Sequence, residues 1–402
     1  MPPRGTGRGR GRSGAVTSHP KGALKYGKAI KPRTFDEYYS EIYGDRWPAL
    51  RAAMTVPPRK VALWNRFSQV PFEVATRGLV RVAAGSLTQA FQPAPETAPH
   101  HETAAENDNR EGQGSACHMD GIIDKPPIDA FGIKAYYLMD YASTYIVEQL
   151  QVGSFDKVLD MCAAPGGKSI AIAQFLSPDG SLSCNETRAD RCARLRRNLQ
   201  EHIPVNYVPW LVTQRDAQTW YDPGAYTRVL VDAPCSSERH LLYQSRGAPL
   251  SLGEWCEETT IELAALQRVL LLRAIETCAV GGRIVYSTCS ISPLENDGVV
   301  AEVLRCTRCH VKVVRTASPT SSDTATAGDT TTSDADVNGP SQPLVLGEMT
   351  AYGRLLLPDV TGGWGPMFYS VLEKVGEHRS MGSSSSEDGS GDDDSSGDGE
   401  SA

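Results

Sequence analysis

No stretch of this 402-residue chain approaches the roughly 18 consecutive apolar residues of a membrane-crossing helix, so no membrane association is expected. The first 33 residues contain no acid, against five Arg and four Lys, and residues 381–402 contain no base, against seven acids. With the whole chain at −8, residues 34–380 are left at −10, which excludes a body that binds RNA through overall basic composition. A second Cys-x-x-Cys pair is also missing. Cys306-Thr-Arg-Cys309-His310 has the spacing of a covalent haem attachment, yet it falls between a predicted helix and strand, without other cytochrome features or a partner pair for zinc. His100, His101, Cys117 and His118 lie in a polar stretch without metal-ligand spacing, so no metal site is expected. What the chain has in quantity is apolar residues, 40%, enough for one large domain behind an N-terminal extension.

Glycine follows neither of two familiar phosphate-binding patterns. In Leu159-Asp-Met-Cys-Ala-Ala-Pro-Gly-Gly-Lys-Ser169, Cys162 stands where a P-loop needs its first glycine, and Pro165 removes one cradle amide. The three spaced glycines of a dinucleotide fingerprint are absent as well. Val158, Leu159 and Met161 read as a buried strand, and Ile170 to Leu176 as the helix after it. Gly166 and Gly167 then permit a tight turn and close backbone approach to a small cofactor, with Lys168 as a positive handle.

The next strand, Ser181 to Asn185, ends at Glu186, where an acid accepts hydrogen bonds from ribose hydroxyls in sheets of this type. A third strand over Val205 to Val212 leads to Asp216, suited to an adenine amino group. Singly, each acid reads equally well as a solvated loop residue; in register after successive strands they reinforce one another. Two further buried strands end in cysteines: Val229-Leu-Val-Asp-Ala-Pro-Cys235-Ser-Ser and Ile284-Val-Tyr-Ser-Thr-Cys289-Ser. In open parallel sheets, ligands gather beyond the carboxyl ends of the strands. A cofactor loop and two thiols on one such edge point to covalent catalysis beside a nucleotide-like cofactor. Free cysteines are otherwise among the most buried residues, and Cys278 and Cys192 read as packing. Thiol chemistry also argues for an intracellular compartment over a disulfide scaffold.

The Cys-Ala-Ala-Pro-Gly-Gly-Lys-Ser, Asp-Ala-Pro-Cys-Ser-Ser and Tyr-Ser-Thr-Cys-Ser runs, with Glu295-Asn296 downstream, resemble the NOP/Sun RNA cytosine-5 methyltransferases. Residues Phe35 to Met54, Tyr137 to Ser143, Glu238-Arg239-His240 and Gly365 to Phe368 are similar to its mitochondrial ribosomal-RNA branch. The likeness covers most of Phe35 to Val375 and implies a Rossmann-like α/β fold: a mixed seven-stranded sheet with helices on both faces. It implies S-adenosyl-L-methionine as cofactor, held by Gly166, Gly167, Lys168, Ser169, Glu186, Arg191, Asp216, Ala217 and Asp232. Many relatives carry aspartate where this chain has Glu186. It further implies Cys289 as nucleophile, Cys235 in product release, and Asp232 at the base, with Lys168 as a source of positive charge. RNA, most plausibly ribosomal RNA within a ribosomal subunit precursor, is the implied substrate. A helical-repeat protein of the mitochondrial termination-factor family is the implied partner, in keeping with the acidic body. A non-catalytic ribosome-assembly factor and a transfer-RNA methyltransferase are the alternatives.

The implied location is mitochondrial, with nucleus, nucleolus or cytoplasm as alternatives. Residues 1–34 read either as a targeting segment or as a disordered RNA-binding tail. Residues 35–135 read as a mainly helical region with a polar insertion over 92–121, and 136–375 as the catalytic domain. Tyr136 to Leu150 is expected to be a helix, and another runs from Thr260 to Ala279, stopping at Gly281-Gly282. Ser292-Pro-Leu-Glu295 forms a capping-box pattern that predicts a helix directly after Cys289, its positive end favouring thiolate. Met367 to Leu372 is the expected closing strand. Residues 316–342 and 376–402 read as disordered, polar or acidic segments.

Overall fold

The computed structural model describes residues 32–82, 86–94, 123–204, 206–315 and 347–377. Residues 1–31 of the basic segment, nearly all of the polar insertion, the 316–342 linker and residues 378–402 of the acidic tail therefore lie outside the described residues, as do His100, His101, Cys117 and His118.

The main sheet follows from apolar runs that alternate between two cores. Its strands are β5 (Lys157–Asp160), β6 (Ser181–Asn185), β7 (Trp210–Thr213), β8 (Tyr226–Asp232), β9 (Cys278–Thr288), β10 (His310–Val313), β11 (Glu348–Met349), β12 (Arg354–Leu356) and β13 (Met367–Gly376). Val158, Leu230 and Val285 enter one buried cluster, while Leu159, Val229, Val231, Ile284 and Tyr286 enter the other. A period of two with both faces covered explains why these strands read as continuous hydrophobic runs. One face is covered by α4 (Tyr141–Gln149), α5 (Gly167–Ala173) and α6 (Ala189–Gln200), the other by α8 (Glu257–Thr277) and α9 (Asp297–Cys306).

The order is β7-β6-β5-β8-β9-β13, parallel from β7 to β9 and antiparallel at β13. Both β10 and β12 add to β13, and β11 pairs with β12. The expected seven positions are thus present, with β11 and β12 extending the sheet to nine strands. From β5 the chain builds outward to β7, then returns to place β8 on the other side. The carboxyl ends of β5 and β8 therefore flank a crevice at the switch point.

The N-terminal region is helical only at its start, in α1 (Phe35–Tyr43) and α2 (Trp47–Thr55). Thr34 caps α1 reciprocally with Glu37. Beyond Thr55 the helical expectation fails: β1 (Val61–Trp64), β2 (Leu79–Arg81), β3 (Ala90–Pro93) and β4 (Tyr136–Met139) form a separate antiparallel sheet, with α3 (Phe72–Ala75) between β1 and β2. The expected helix from Tyr136 is a strand for its first four residues, because Tyr136 to Met139 pair with Val61 to Trp64. Asp140 then starts α4 by accepting the Ala142 N–H at 2.7 Å. A domain boundary at 135/136 therefore separates β4 from the N-terminal sheet it belongs to.

Two helix limits also move. Helix α8 stops at Thr277, and Gly281-Gly282 lies inside β9, where the register with β8 shifts between Tyr226 and Arg228. Gly281 has φ +81°, and a Cβ on Gly282 would stand 2.5 Å from Cys278 Sγ, so the irregularity requires both glycines. The capping box at Ser292 is not formed. Helix α9 begins at Asp297, because the Glu295 carboxylate is drawn inward by partners from other loops, described below.

Candidate active site

Three loops meet beyond the carboxyl ends of β5, β8 and β9. At β5, Asp160 closes an apolar strand and is fully buried; its Oδ2 accepts from Ser169 Oγ at 2.6 Å while its Oδ1 has no protein partner. Burial pushes its carboxyl up to about 7. Gly166 turns the chain into α5 at φ +112°. Gly167 serves packing: a Cβ there would lie 2.8 Å from the Tyr137 ring. Lys168 reaches from the first turn of α5 to Asp232 Oδ2 at 2.8 Å and Ser143 Oγ at 3.2 Å. Burial opposes its charge, but Asp232 outweighs that and leaves the ammonium harder to deprotonate than usual. On its other side, Asp232 accepts from Ser287 Oγ at 2.9 Å, across the register pair that these two residues form in β8 and β9.

The two thiols face each other with 3.0 Å between sulfurs. Ser237 Oγ stands 3.2 Å from Cys289 Sγ, and the Cys289 N–H donates to Cys235 Sγ at 3.3 Å. Hydrogen bonds from Cys235 and Ser237 pull the Cys289 thiol below its ordinary pKa against the opposing effect of burial. The same contact holds the proton on Cys235, whose thiol is raised well above the ordinary value, with burial adding to the effect. Both cysteines are half-buried, as a reacting thiol requires.

A cavity of about 580 Å³ joins these groups. It holds Cys235 and Cys289, the Lys168–Asp232 pair, and, at one end, Glu186 and Arg191. Glu186 is 5% exposed, accepts the Arg188 N–H at 2.9 Å and lies 3.3 Å from Arg191, which also donates to the Ala164 carbonyl at 2.8 Å. The other end is formed by Arg239, His240 and Tyr243 of α7 (Glu238–Gln244) with Pro58 and the Gly365-Pro366 turn. Of the residues expected at the cofactor, Gly166, Gly167, Ser169, Asp216 and Ala217 do not line this cavity. Ser169 instead orients Asp160, and Asp216 is exposed and accepts the Gln218 N–H at 3.0 Å. Cys309 is buried and Cys306 exposed, and among the described residues no cluster suited to a metal ion occurs.

The family model for the 16S rRNA methyltransferase RsmB/F matches residues 147–339. The mitochondrial tRNA (cytosine(34)-C(5))-methyltransferase of Mus musculus is 31% identical over 354 residues, covering 85% of this chain and 89% of that protein. The 5-cytosine rRNA methyltransferase NSUN4 of Bos taurus is 32% identical over 289 residues, covering 67% and 72%. The chain belongs to the NOP/Sun family of S-adenosylmethionine-dependent RNA cytosine-5 methyltransferases. The fold agrees: the crystal structure of NSun6 from Pyrococcus horikoshii with SFG superposes with a TM-score of 0.58 at 18% identity, covering 86% of this chain and 99% of that one.

The NOP/Sun cofactor fits the residues present. S-adenosylmethionine carries a sulfonium, an ammonium and ribose hydroxyls, and this pocket offers the carboxylates of Glu186 and Asp232 with the unpartnered Asp160 Oδ1 beside them. Asp160, Ser143 and Ser237 were not singled out by sequence reading. An acid closing an apolar strand just ahead of the glycine turn is a signal for the first; the serines come from separate segments and carry none.

Proposed function

We propose that this enzyme methylates carbon 5 of a cytosine in mitochondrial ribosomal RNA through a covalent bond between Cys289 and the base. The observation that carries the covalent step is the thiol pair: Cys235 and Ser237 both direct hydrogen bonds at Cys289, the thiol whose pKa falls. The target base leaves its stack to enter the cavity. Cys289 Sγ adds to carbon 6, and the electron pair of the 5,6 double bond makes carbon 5 nucleophilic. Asp232, fixed by Lys168 and Ser287, accepts a hydrogen bond from the base edge and keeps it oriented. S-adenosylmethionine, when bound, supplies an electrophilic methyl group for carbon 5. Once solvent takes the carbon-5 proton, its bonding pair restores the double bond and Cys289 departs as thiolate; Cys235, in contact with the leaving sulfur, assists that release.

The cofactor would be held by Glu186 and Arg191, with Lys168 and Asp232 also lining its cavity. Transfer RNA is the second substrate reading, supported by the likeness to the mouse transfer-RNA enzyme, 31% identical over 354 residues. Because residues 34–380 carry −10, RNA affinity is assigned to the basic first 33 residues or to a helical-repeat protein partner. Incubation with RNA containing 5-azacytidine, which blocks release, should trap an adduct that Cys289→Ala abolishes. An adduct surviving that substitution would overturn the nucleophile. Bisulfite mapping after depletion separates the substrates: lost methylation in ribosomal RNA supports the first reading, and loss confined to transfer RNA replaces it with the second.

A further inference from the structure

Behind the thiols lies a layer of polar groups that the reaction above does not use. Ser236 follows Cys235, Ser290 follows Cys289, and neither serine lines the cavity. Instead both meet the same two carboxylates. Ser290 Oγ lies 2.9 Å from Oε1 of Glu238 and 2.9 Å from Oε1 of Glu295, and Ser236 Oγ contacts both of these atoms too. The hydroxyls are 3.1 Å apart, and both glutamates are fully buried. Glu295 Oε2 accepts from the Ser236 N–H at 3.1 Å and Gln267 Nε2 at 2.7 Å. Glu238 accepts from the Ile291 N–H at 3.3 Å and from the Tyr39 hydroxyl, which arrives from α1.

Counting hydrogens shows what this arrangement needs. Four serine–carboxylate contacts share two hydroxyl protons, and a hydroxyl donates its proton only once. With both glutamates charged, two contacts would set oxygen against oxygen with no hydrogen between them. A carboxyl proton relieves this, because a protonated carboxyl donates to a serine oxygen.

We propose that Glu238 and Glu295 share one proton and in that state clasp the Cys235 and Cys289 loops together, which makes both glutamates positioning residues for the thiol pair. The catalytic meaning of the clasp rests on the function proposed above; its geometry does not. Burial, followed by the charge of Glu238, pushes Glu295 up to about 7. The other titratable groups facing the pair are the phenols of Tyr38, Tyr39 and Tyr43 from α1 and Tyr286 from β9, all raised by burial, and the thiols of Cys235 and Cys289. Helix α8 contributes the neutral Gln267. As pH rises through about 7 the shared proton leaves, two buried charges repel across the serines, and the loops part. Cys289 then loses the hydrogen bonds that favour its thiolate.

The test needs no RNA. The alkylation rate of Cys289 by iodoacetamide is followed from pH 5.5 to 9 on the full chain, by mass spectrometry of the Cys289 peptide. In the unsubstituted protein the rate should flatten above pH 7. Glu295→Gln, whose amide is a permanent donor, should follow a single thiol ionisation and exceed it by about tenfold at pH 8.5, the effect of roughly one pKa unit. Tyr39→Phe removes a donor from Glu238 and should move the break to higher pH. Superimposable curves for the unsubstituted protein and Glu295→Gln would overturn the clasp, as would a break that Tyr39→Phe leaves in place. Should Glu295→Gln melt below the assay temperature, Glu238→Gln removes the same repulsion and replaces it. A pH break without any azacytidine adduct would sink the proposed function and leave the clasp standing; an adduct with identical curves would sink the clasp alone.

Discussion

The loops after β8 and β9 are built alike and behave in opposite ways. Each leaves an apolar strand, presents a half-buried cysteine, and follows it with a serine bound to the same two carboxylates. Yet the Cys235 thiol is driven up and the Cys289 thiol down. The difference lies in where one hydrogen points. Cys235 donates to Cys289 across 3.0 Å, and Ser237, on the Cys235 loop, adds a second donor at 3.2 Å. Cys235 Sγ receives the Cys289 backbone N–H at 3.3 Å, and Ser237 Oγ lies farther from it, at 3.6 Å, than from Cys289. Two similar loops thus hold thiols of opposite tendency, through their mutual contact, the nearer Ser237 hydroxyl at Cys289 and the burial of Cys235.

The sharpest way to break this comparison is to remove each sulfur in turn. Cys289→Ala should reduce methyl transfer to the level of an RNA-only control, whereas Cys235→Ala should keep bond formation and lose release. On ordinary RNA, Cys235→Ala is therefore expected to accumulate a covalent complex visible as a shifted band under denaturing conditions. Equal loss of the complex in both variants would mean that the sulfurs do not divide the work. The same variant sharpens the electrostatics. Below the break that opens the clasp, activity should rise with pH, since the Cys289 thiolate is the reactive form. Without its Cys235 donor, that rise should move to higher pH, by roughly one unit, cutting Cys289 alkylation at pH 7 about tenfold. A loss smaller than that of Cys289→Ala is expected for Lys168→Met, which frees one Asp232 oxygen and tests orientation of the base. It should lower turnover on RNA by up to about 100-fold, the cost of misplacing a reacting group by about 1 Å. Iodoacetamide alkylation of Cys289 should change less, because Lys168 is bonded to Asp232 and acts on the sulfur only through space.

Strands that bury both faces announced themselves in the sequence, while contacts between distant loops did not. Ser181–Asn185 is β6 to the residue, and the runs ahead of Cys235 and Cys289 are β8 and β9, because their apolar content decides their state locally. Val61–Trp64 gave no such sign: four residues become a strand by pairing with β3 on one side and with Tyr136–Met139, some 75 positions away, on the other. Glu295 shows the same limit at the site. Its spacing from Ser292 fits a capping box, but Ser236 and Gln267, 59 and 28 residues upstream, capture the carboxylate and delay the helix to Asp297. The cysteines could be singled out from their motifs. Their 3.0 Å separation and the direction of the hydrogen bond between them depend on two loops folding against each other.

The smallest test of the comparison concerns Ser237, which holds its hydroxyl near Cys289 from a left-handed backbone at φ 54°, ψ 49°. A side chain in that region costs on the order of 1 kcal/mol, which glycine does not incur. Two substitutions separate the hydroxyl from the strain. Ser237→Ala removes the donor and keeps the strained backbone; Ser237→Gly removes both. The two should slow Cys289 alkylation at pH 7 equally, by a few-fold, because one of two donors is gone in each. Their stabilities should differ, with Ser237→Gly more stable than Ser237→Ala by about 1 kcal/mol in chemical denaturation. If Ser237→Ala instead matches the unsubstituted protein in alkylation, the hydroxyl does not reach the thiol in solution. The asymmetry between the loops would then rest on Cys235 alone.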